Sequence, residues 1–303
     1  MPRHLVALVG ATASGKTATA ISVAQRLPVE VVSVDSRQIR AEMRIGTAAP
    51  TDQELAAVRH HLIGVVPIDA PWSLADFLAR AREALDDIWS RGKMPLLVGG
   101  TGQYVWALLE GWQPPTVPPD HALRAELEAE AARHGAQALY GRLMVLDPEA
   151  ATRVDRHNPR RLVRAIEVAL AGGPAPVQPL APDFTSPVIG VQWSREVLHA
   201  RADERVERMY AQGLVTETRD LLERYPASLP SFQTIGYAEA ARVVRGEWSV
   251  ETAIARTKIA THRLIRMQAT WFRKDDPRIE WIDGDDLEGA VRAVEAAARP
   301  RVR

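Results

Sequence analysis

Residues Gly10 to Thr17 read Gly-Ala-Thr-Ala-Ser-Gly-Lys-Thr. The spacing is that of a phosphate-binding loop, G-x-x-x-x-G-K-[ST], without a mismatch. Gly10 and Gly15 allow a tight turn, so the backbone N–H groups of Ala11, Thr12, Ala13 and Ser14 can face a phosphate. The Lys16 ammonium supplies a point charge for the terminal phosphate, and the Thr17 hydroxyl is the expected Mg²⁺ contact. This chemistry needs a strand to deliver the loop and a helix to receive it, because a helix N-terminus adds partial positive charge. His4 to Val9 is an apolar run of strand type, and Thr17 to Gln25 is Ala-rich and reads as a helix. A loop of this kind, taken alone, suggests an ATP-binding nucleoside-triphosphate hydrolase or a kinase.

Asp35 is the second chemical candidate. The β-branched run Val29 to Val34 ends in Asp35-Ser36-Arg37-Gln38. Functional groups of parallel α/β sheets gather at the C-terminal ends of strands, so Asp35 is expected beside the loop. A hydrolase of the phosphate-loop class usually has an apolar strand ending in an Asp that helps to hold Mg²⁺. Here the Leu96 to Val98 strand runs into Gly99-Gly100-Thr101-Gly102 instead. Asp35 is therefore a candidate general base acting on an acceptor. A capping or outer Mg²⁺ carboxylate is the alternative.

The elements that must position these groups follow from periodicity. Leu62 to Val66 is a plausible short third strand. Ser73 opens a helix with Asp76 in a capping-box arrangement, Leu74, Phe77, Leu78, Ala81, Leu85 and Ile88 recur at helical spacing, and Gly92 closes it. Strand–helix alternation predicts a P-loop doubly wound parallel sheet. Trp112 to Asp120 then holds four prolines, and Gly172 to Pro187 five prolines and two glycines. These breakers bracket a helical stretch and predict an all-helical insertion over residues 113–182, between core segments 1–112 and 183–303. Val188 to Trp193 resumes the sheet, Ser194 caps the next helix, and Ser249 caps a long helix running to about Lys274.

Composition excludes several classes. The 303 residues include no Cys, which removes disulfides and thiolate metal sites and fits a reducing cytosol. The eight His show no zinc-ligand spacing. No apolar run approaches the roughly 18 residues of a membrane span, and no signal peptide precedes the loop, so a cytoplasmic protein is expected. Net charge is zero, from 38 basic and 38 acidic residues, but the charges are blocked. Arg153 to Arg164 carries five Arg against one Asp, and Arg256 to Lys274 six basic residues and no acid. Asp275 to Glu288 carries seven acids against one Arg. Such blocks admit a polyanionic partner despite the neutral total. On a helical wheel Arg256, Arg263, Arg266, Arg273 and Lys274 share one sector. Ala253, Ala260, Leu264, Met267 and Trp271 share another, so Met267 is expected to pack.

At this point the chain resembles the tRNA dimethylallyltransferases, or tRNA isopentenyltransferases. The resemblance runs from the loop to about Arg273 through ordered landmarks: Gly10 to Thr17, Ser33 to Gln38, Ile45 to Ala48, and Leu97 to Gly102 with Tyr104. Asn158 to Arg164, Arg201 and Arg205 with Met209, Ile235 to Tyr237, and Gln268 to Arg273 complete it. The chain departs from the family at Arg40-Ala41, where Tyr-Lys is common, and at Met267, where Lys-Arg-Gln often replaces Arg266-Met267-Gln268. The resemblance implies transfer of a dimethylallyl group from dimethylallyl diphosphate to N6 of the adenosine just 3′ of the tRNA anticodon, with Mg²⁺. It implies that the loop binds the diphosphate, that Arg205 stabilises its departure, that Asp35 is the base, and that Thr101 belongs to the catalytic set. It implies tRNA contacts from Asp35, Ser36, Arg37, Gln38, Thr101 and Arg124; from Arg160, Arg161, Leu162, Val163 and Arg164; from Gln233, Thr234, Ile235, Gly236, Tyr237 and Ala238; and from Arg266, Gln268, Trp271 and Arg273. A monomer is expected, because the anticodon stem-loop would cover much of the surface. Rival readings are an adenylate isopentenyltransferase, a small-molecule kinase, and a non-enzymatic RNA-binding phosphate-loop regulator. The residues themselves do not separate Arg201 from Arg205; the resemblance favours Arg205.

Overall fold

The computed structural model describes residues 3–115, 117–172 and 179–299. Two compact units emerge: Met1–Gly111 with Ala181–Arg303, and Trp112–Leu180. Residue 116 and residues 173–178, which fall in the two proline-rich stretches, lie outside the described residues.

The first unit opens with β1 (Val6–Val9), α1 (Lys16–Ala24), β2 (Val29–Ser33), α2 (Asp52–Ala57), β3 (His60–His61), α3 (Leu74–Ser90), β4 (Met94–Gly99) and α4 (Gly102–Leu109). The second unit holds α5 (His121–His134), α6 (Ala136–Leu146), α7 (Pro148–Arg153) and α8 (Pro159–Leu170). The first unit then resumes with β5 (Val188–Gln192), α9 (Arg195–Ala211), α10 (Leu214–Arg224), α11 (Tyr237–Val244), α12 (Val250–Trp271), β6 (Ile279–Asp283) and α13 (Leu287–Ala297).

The six strands form one parallel sheet in the order β3-β2-β4-β1-β5-β6. Parallel strands covered by helices read as continuous apolar runs, and Val6, Ala7, Leu8 and Val9 are all fully buried. The order sets β4, β1 and β5 side by side, with β2 flanking β4. Their C-terminal ends carry Thr101, Gly10, Trp193 and Asp35 respectively, so residues far apart in sequence share one edge. The capping box of Ser73 and Asp76 forms as expected, and Gly92 follows the helix end at φ 69°.

Two strand expectations need correction. Leu62 to Val66 is a turn. Leu62 and Gly64 adopt left-handed backbone (φ 63° and 62°), and the pairing strand is the preceding His60–His61. An apolar run cannot stay extended through two left-handed residues. At the other end, β6 and α13 lie within and beyond the acidic block, where charge hides a half-buried edge strand. Ile279 is buried and Trp281 fills the space over Gly190 of β5. The long helix α12 also stops at Trp271, with Phe272 as its C-cap, three residues short of Lys274.

In the second unit, Leu127, Leu139, Leu143, Leu162 and Ile166 form a core with no solvent exposure. Beside it Glu167 is buried and accepts hydrogen bonds from Arg124 Nε (2.9 Å), Arg124 Nη2 (2.8 Å), Arg164 Nη1 (2.6 Å) and the Asp120 amide (2.7 Å). Burial alone would raise this carboxyl. The two guanidiniums and the amide outweigh it and hold the pKa at about 2.

Candidate active site

The phosphate loop takes the form its residue types demand. Gly15 sits at φ 101°, and Ala13 is forced to φ 63°. The strained Ala13 carbonyl is held by Arg201 Nε at 2.9 Å, and the Arg201 guanidinium lies 4.5 Å over the Trp193 ring. Trp193 in turn donates from Nε1 to the Ser14 carbonyl at 2.9 Å. From the other side, Gln268 of α12 accepts from the Thr12 amide (2.8 Å) and donates to the Gly100 carbonyl (3.0 Å). This buried amide ties the loop to the end of β4.

That tie explains the glycine run after β4. A Cβ on Gly100 would lie 2.3 Å from Gln268 Nε2, and one on Gly102 would lie 2.2 Å from Trp271 Cβ. Side chains of α12 press onto this turn, and only glycine leaves room for them.

Lys16 donates to the Ala11 carbonyl (2.7 Å) and to Ser14 Oγ (3.3 Å). Burial first, and the Arg205 charge second, lower its pKa to about 7, against an opposing pull from Asp35. Burial likewise lowers Arg205, with Asp35 opposing it. The sign for ligand binding follows. A bound polyanion favours the ammonium, so at pH 8.5 binding draws a proton onto Lys16, whereas at pH 6 the proton is already there. Calorimetry of a non-hydrolysable alkyl diphosphate in buffers of different ionisation enthalpy is expected to show uptake of about one proton at pH 8.5. Lys16→Met abolishes that uptake; uptake of the same size in the variant would contradict the assignment.

Asp35 closes a tight turn, with Oδ1 accepting from the Arg37 amide (2.8 Å) and the Gln38 amide (3.2 Å). Across the strand ends, Thr101 Oγ1 accepts from the Ser36 amide at 3.1 Å. Gln38 donates to the Ala48 carbonyl at 2.9 Å and so holds the 45–48 loop beside the site.

Two cavities meet here. One, of about 480 Å³, is lined by the loop residues Thr12, Ala13, Gly15, Lys16 and Thr17, by Arg201, Arg205 and Arg208, and by Glu54 and Glu204. The other, of about 440 Å³, is lined by Ser36, Arg37, Thr101, Gln233, Met267 and Trp271. Thr12, Asp35, Gly100, Arg205 and Gln268 line both. Both volumes suit a small-molecule or nucleobase site. The geometry also divides the two arginines that sequence left equivalent. Arg201 braces the loop backbone, while Arg205 faces both cavities beside Lys16.

The model of the IPP transferase family matches residues 38–275, and that of the isopentenyl transferase family residues 3–69. A tRNA dimethylallyltransferase of Chloroflexus aurantiacus is 48% identical over 276 residues, 89% of this chain and 93% of that one. This chain belongs to the tRNA dimethylallyltransferase family. A tRNA dimethylallyltransferase of Herpetosiphon aurantiacus is 42% identical over 301 residues, covering 98% of this chain and 95% of its own. The crystal structure of the tRNA isopentenylpyrophosphate transferase from Bacillus halodurans is similar with a TM-score of 0.71 and 35% identity. The match covers 97% of this chain and 96% of that chain.

Against the expected tRNA contacts of the family, several side chains fall elsewhere. Tyr237 is fully buried, where its hydroxyl donates to Glu217 and accepts from the Gly46 amide at 3.2 Å. Leu162 and Val163 are core residues of the second unit, and Thr234 is 4% exposed. These buried side chains help to build the segments that carry their neighbours, and Thr234 also lines the second cavity. Gly236 is buried too, at φ 93°, and forms the N-cap of α11, while Ala238 is partly exposed. Arg124 and Arg164 spend hydrogen bonds on Glu167, and Arg273 pairs with Asp275 at 2.8 Å. Arg160, Arg161, Arg37, Gln233 and Arg266 are exposed, and Ile235 is partly exposed at the second cavity. Met267 is 57% exposed and lines that cavity, contrary to the wheel. The buried face of α12 is instead Ala253, Thr257, Ile265 and Gln268, because a polar Gln occupies a packed position. The loop-bracing roles of Trp193 and Gln268 escaped the sequence reading. Their only signal is an indole and an amide placed where a loop backbone arrives from another part of the chain.

Proposed function

We propose that this chain is a tRNA dimethylallyltransferase whose two joined cavities hold the donor and the acceptor. It transfers the dimethylallyl group of dimethylallyl diphosphate to N6 of the adenosine 3′-adjacent to the anticodon and releases diphosphate. The carrying observation is the shared wall: Asp35 and Arg205 face both cavities, so an acceptor amine and a leaving diphosphate can meet there. N6 attacks the allylic C1, the C1–O bond breaks, and its electron pair leaves with the diphosphate. The loop amides, Lys16 and Arg205 take up the charge that develops on that oxygen. An exocyclic adenine amine is weakly nucleophilic because its lone pair is delocalised. Asp35 orients it by accepting a hydrogen bond and removes its proton. Thr101 fixes the turn beside Asp35.

Mg²⁺ fits the oxygen donors of the diphosphate side. Thr17 lines that cavity and its hydroxyl makes no hydrogen bond among the described residues, as suits a hard cation that keeps most of its waters. When bound, Mg²⁺ would be held by Thr17 and would neutralise diphosphate charge.

An adenosine in a stacked anticodon loop must be flipped out to enter, which costs a few kcal/mol. Exposed cations supply the compensating contacts. Arg266 stands on α12, which carries three further basic residues within it, Arg256, Lys258 and Arg263, and no acid after Glu251. Arg266→Glu is expected to weaken tRNA binding about tenfold or more and to flatten its dependence on salt. A salt slope equal to that of the unaltered protein would place phosphate elsewhere. The rival acceptor is a free nucleotide. Labelled dimethylallyl diphosphate offered with unmodified tRNA, or with AMP, distinguishes the two: label enters tRNA and not AMP. Transfer to AMP alone, or ATP turnover without transfer, would contradict the proposal. No helix among the described residues is long and apolar enough to cross a membrane.

A further inference from the structure

The segment 44–48 runs beside the site, with Gly46 and Thr47 lining the second cavity and Ala48 the first. It belongs to no helix or strand, so its backbone N–H groups need partners from elsewhere. Three in a row find them on α10 and α11. Glu217 Oε1 accepts from the Ile45 amide (3.1 Å), and Glu217 Oε2 from the Ile45 amide (3.2 Å) and the Arg44 amide (3.3 Å). The Tyr237 hydroxyl accepts from the Gly46 amide (3.2 Å) and donates its own proton to Glu217 Oε1, which closes the set. A carboxylate suits this place, because both its oxygens only accept and every group facing them donates. Burial first, and the Glu217 charge second, push the Tyr237 phenol well up, so it stays protonated and keeps donating. A Cβ on Gly46 would lie 2.4 Å from the Tyr237 ring, so only glycine lets the ring close on the segment.

From the segment the hydrogen bonds run on to the base. Gln38 Nε2 donates to the Ala48 carbonyl (2.9 Å) and the Thr47 carbonyl (3.3 Å), and the Gln38 amide donates to Asp35 Oδ1 (3.2 Å). We infer that Glu217 is a positioning residue for prenyl transfer: through the 44–48 segment and Gln38 it aims the Asp35 carboxylate at the acceptor amine. Glu217 lines neither cavity, so it acts through these bonds and not on a substrate. The Arg37 amide also holds Asp35 Oδ1 (2.8 Å), so loss of Glu217 misdirects the base without removing it. The phosphate loop is held by a separate set of bonds, from Arg201, Trp193 and Gln268. The grip on the diphosphate is therefore independent of Glu217.

The inference rests on the proposed prenyl transfer, and the test separates the two. The single-turnover rate of transfer to tRNA, and its dependence on dimethylallyl diphosphate concentration, are measured for the unaltered chain, Glu217→Gln, Asp35→Asn and the double variant. Glutamine keeps the size of the side chain but turns an NH₂ group toward N–H donors, so the segment loses at least one partner. Glu217→Gln is expected to lower the maximal rate at least about tenfold, the scale of a misplaced reacting group. The half-saturating donor concentration and inhibition by inorganic diphosphate stay within about twofold, because the loop keeps its own bonds. In the Asp35→Asn background the same change costs less than about threefold, since a residue that acts through the base has nothing left to position. A merely structural role instead multiplies the two losses, and that result overturns the inference. So does a folded Glu217→Gln with an undiminished maximal rate, or a loss confined to donor affinity. If Glu217→Gln does not fold, Tyr237→Phe decides. It takes one hydroxyl from the same set and keeps the ring, and an undiminished maximal rate in it overturns the inference. Absence of transfer by the folded, unaltered chain instead brings down the proposed function itself.

Discussion

Asp35→Asn is expected to lower kcat for prenyl transfer about 10³-fold while leaving tRNA affinity within about twofold, in keeping with the worth of a positioned general base. Asparagine is the informative replacement because the Asp35 carboxylate has a structural task as well. Its Oδ1 accepts from the Arg37 and Gln38 amides, and an asparagine oxygen can accept the same two bonds. The turn, the Thr101 contact to the Ser36 amide and the neighbouring Gln38 therefore survive, and the proton acceptor alone is lost. Alanine would open the turn and confound the two tasks. Single-turnover rates with saturating donor, alongside filter-binding of tRNA, check this. A near-normal rate for Asp35→Asn would remove Asp35 as the base.

Arg205→Gln is expected to lower kcat by about 10²–10³-fold, the scale of one lost donor to a developing anion in a water-poor site. The change carries a second, independent signature. The Arg205 charge is, after burial, the next cause of the lowered Lys16 pKa. Removing it lets the Lys16 pKa rise, so less proton is taken up when an alkyl diphosphate binds at pH 8.5. Rate and proton uptake must fall together. Arg201→Gln differs in kind: it frees the strained Ala13 carbonyl and the Trp193 ring, so its effect falls on loop integrity and donor KM. If Arg205→Gln left the rate intact while Arg201→Gln abolished it, the two roles would be reversed.

Much of this site could be read from the sequence because its signals are local. The loop has a fixed spacing. Asp35 ends a β-branched run, and strand–helix alternation determines at which edge such ends gather. Caps at Ser73, Ser194 and Ser249 each depend on one hydroxyl and one amide three residues on, so they too were legible. What failed depends on long-range packing. Helical periodicity set Met267 on the apolar sector. The helix is instead rotated by the need to bury Gln268, whose partners are a loop amide 256 residues away and a carbonyl 168 residues away. Tyr237 and Leu162 sit in motif positions that resemble RNA contacts, yet their side chains are fully buried. The sixth strand was hidden because an edge strand needs only one buried face, and the surrounding acids outweighed Ile279 and Trp281 in any local average.

The central claim is that the phosphate loop grips a leaving group and does not prepare a phosphoryl group for transfer. One measurement tests it most directly: diphosphate release and prenylated adenosine counted in the same reaction, with unmodified tRNA as acceptor and no ATP. The account predicts one diphosphate per N6-dimethylallyl adenosine, all of it dependent on tRNA and on the adenosine 3′ of the anticodon. Phosphate or diphosphate released without prenylated adenosine, or a requirement for ATP hydrolysis, would contradict it.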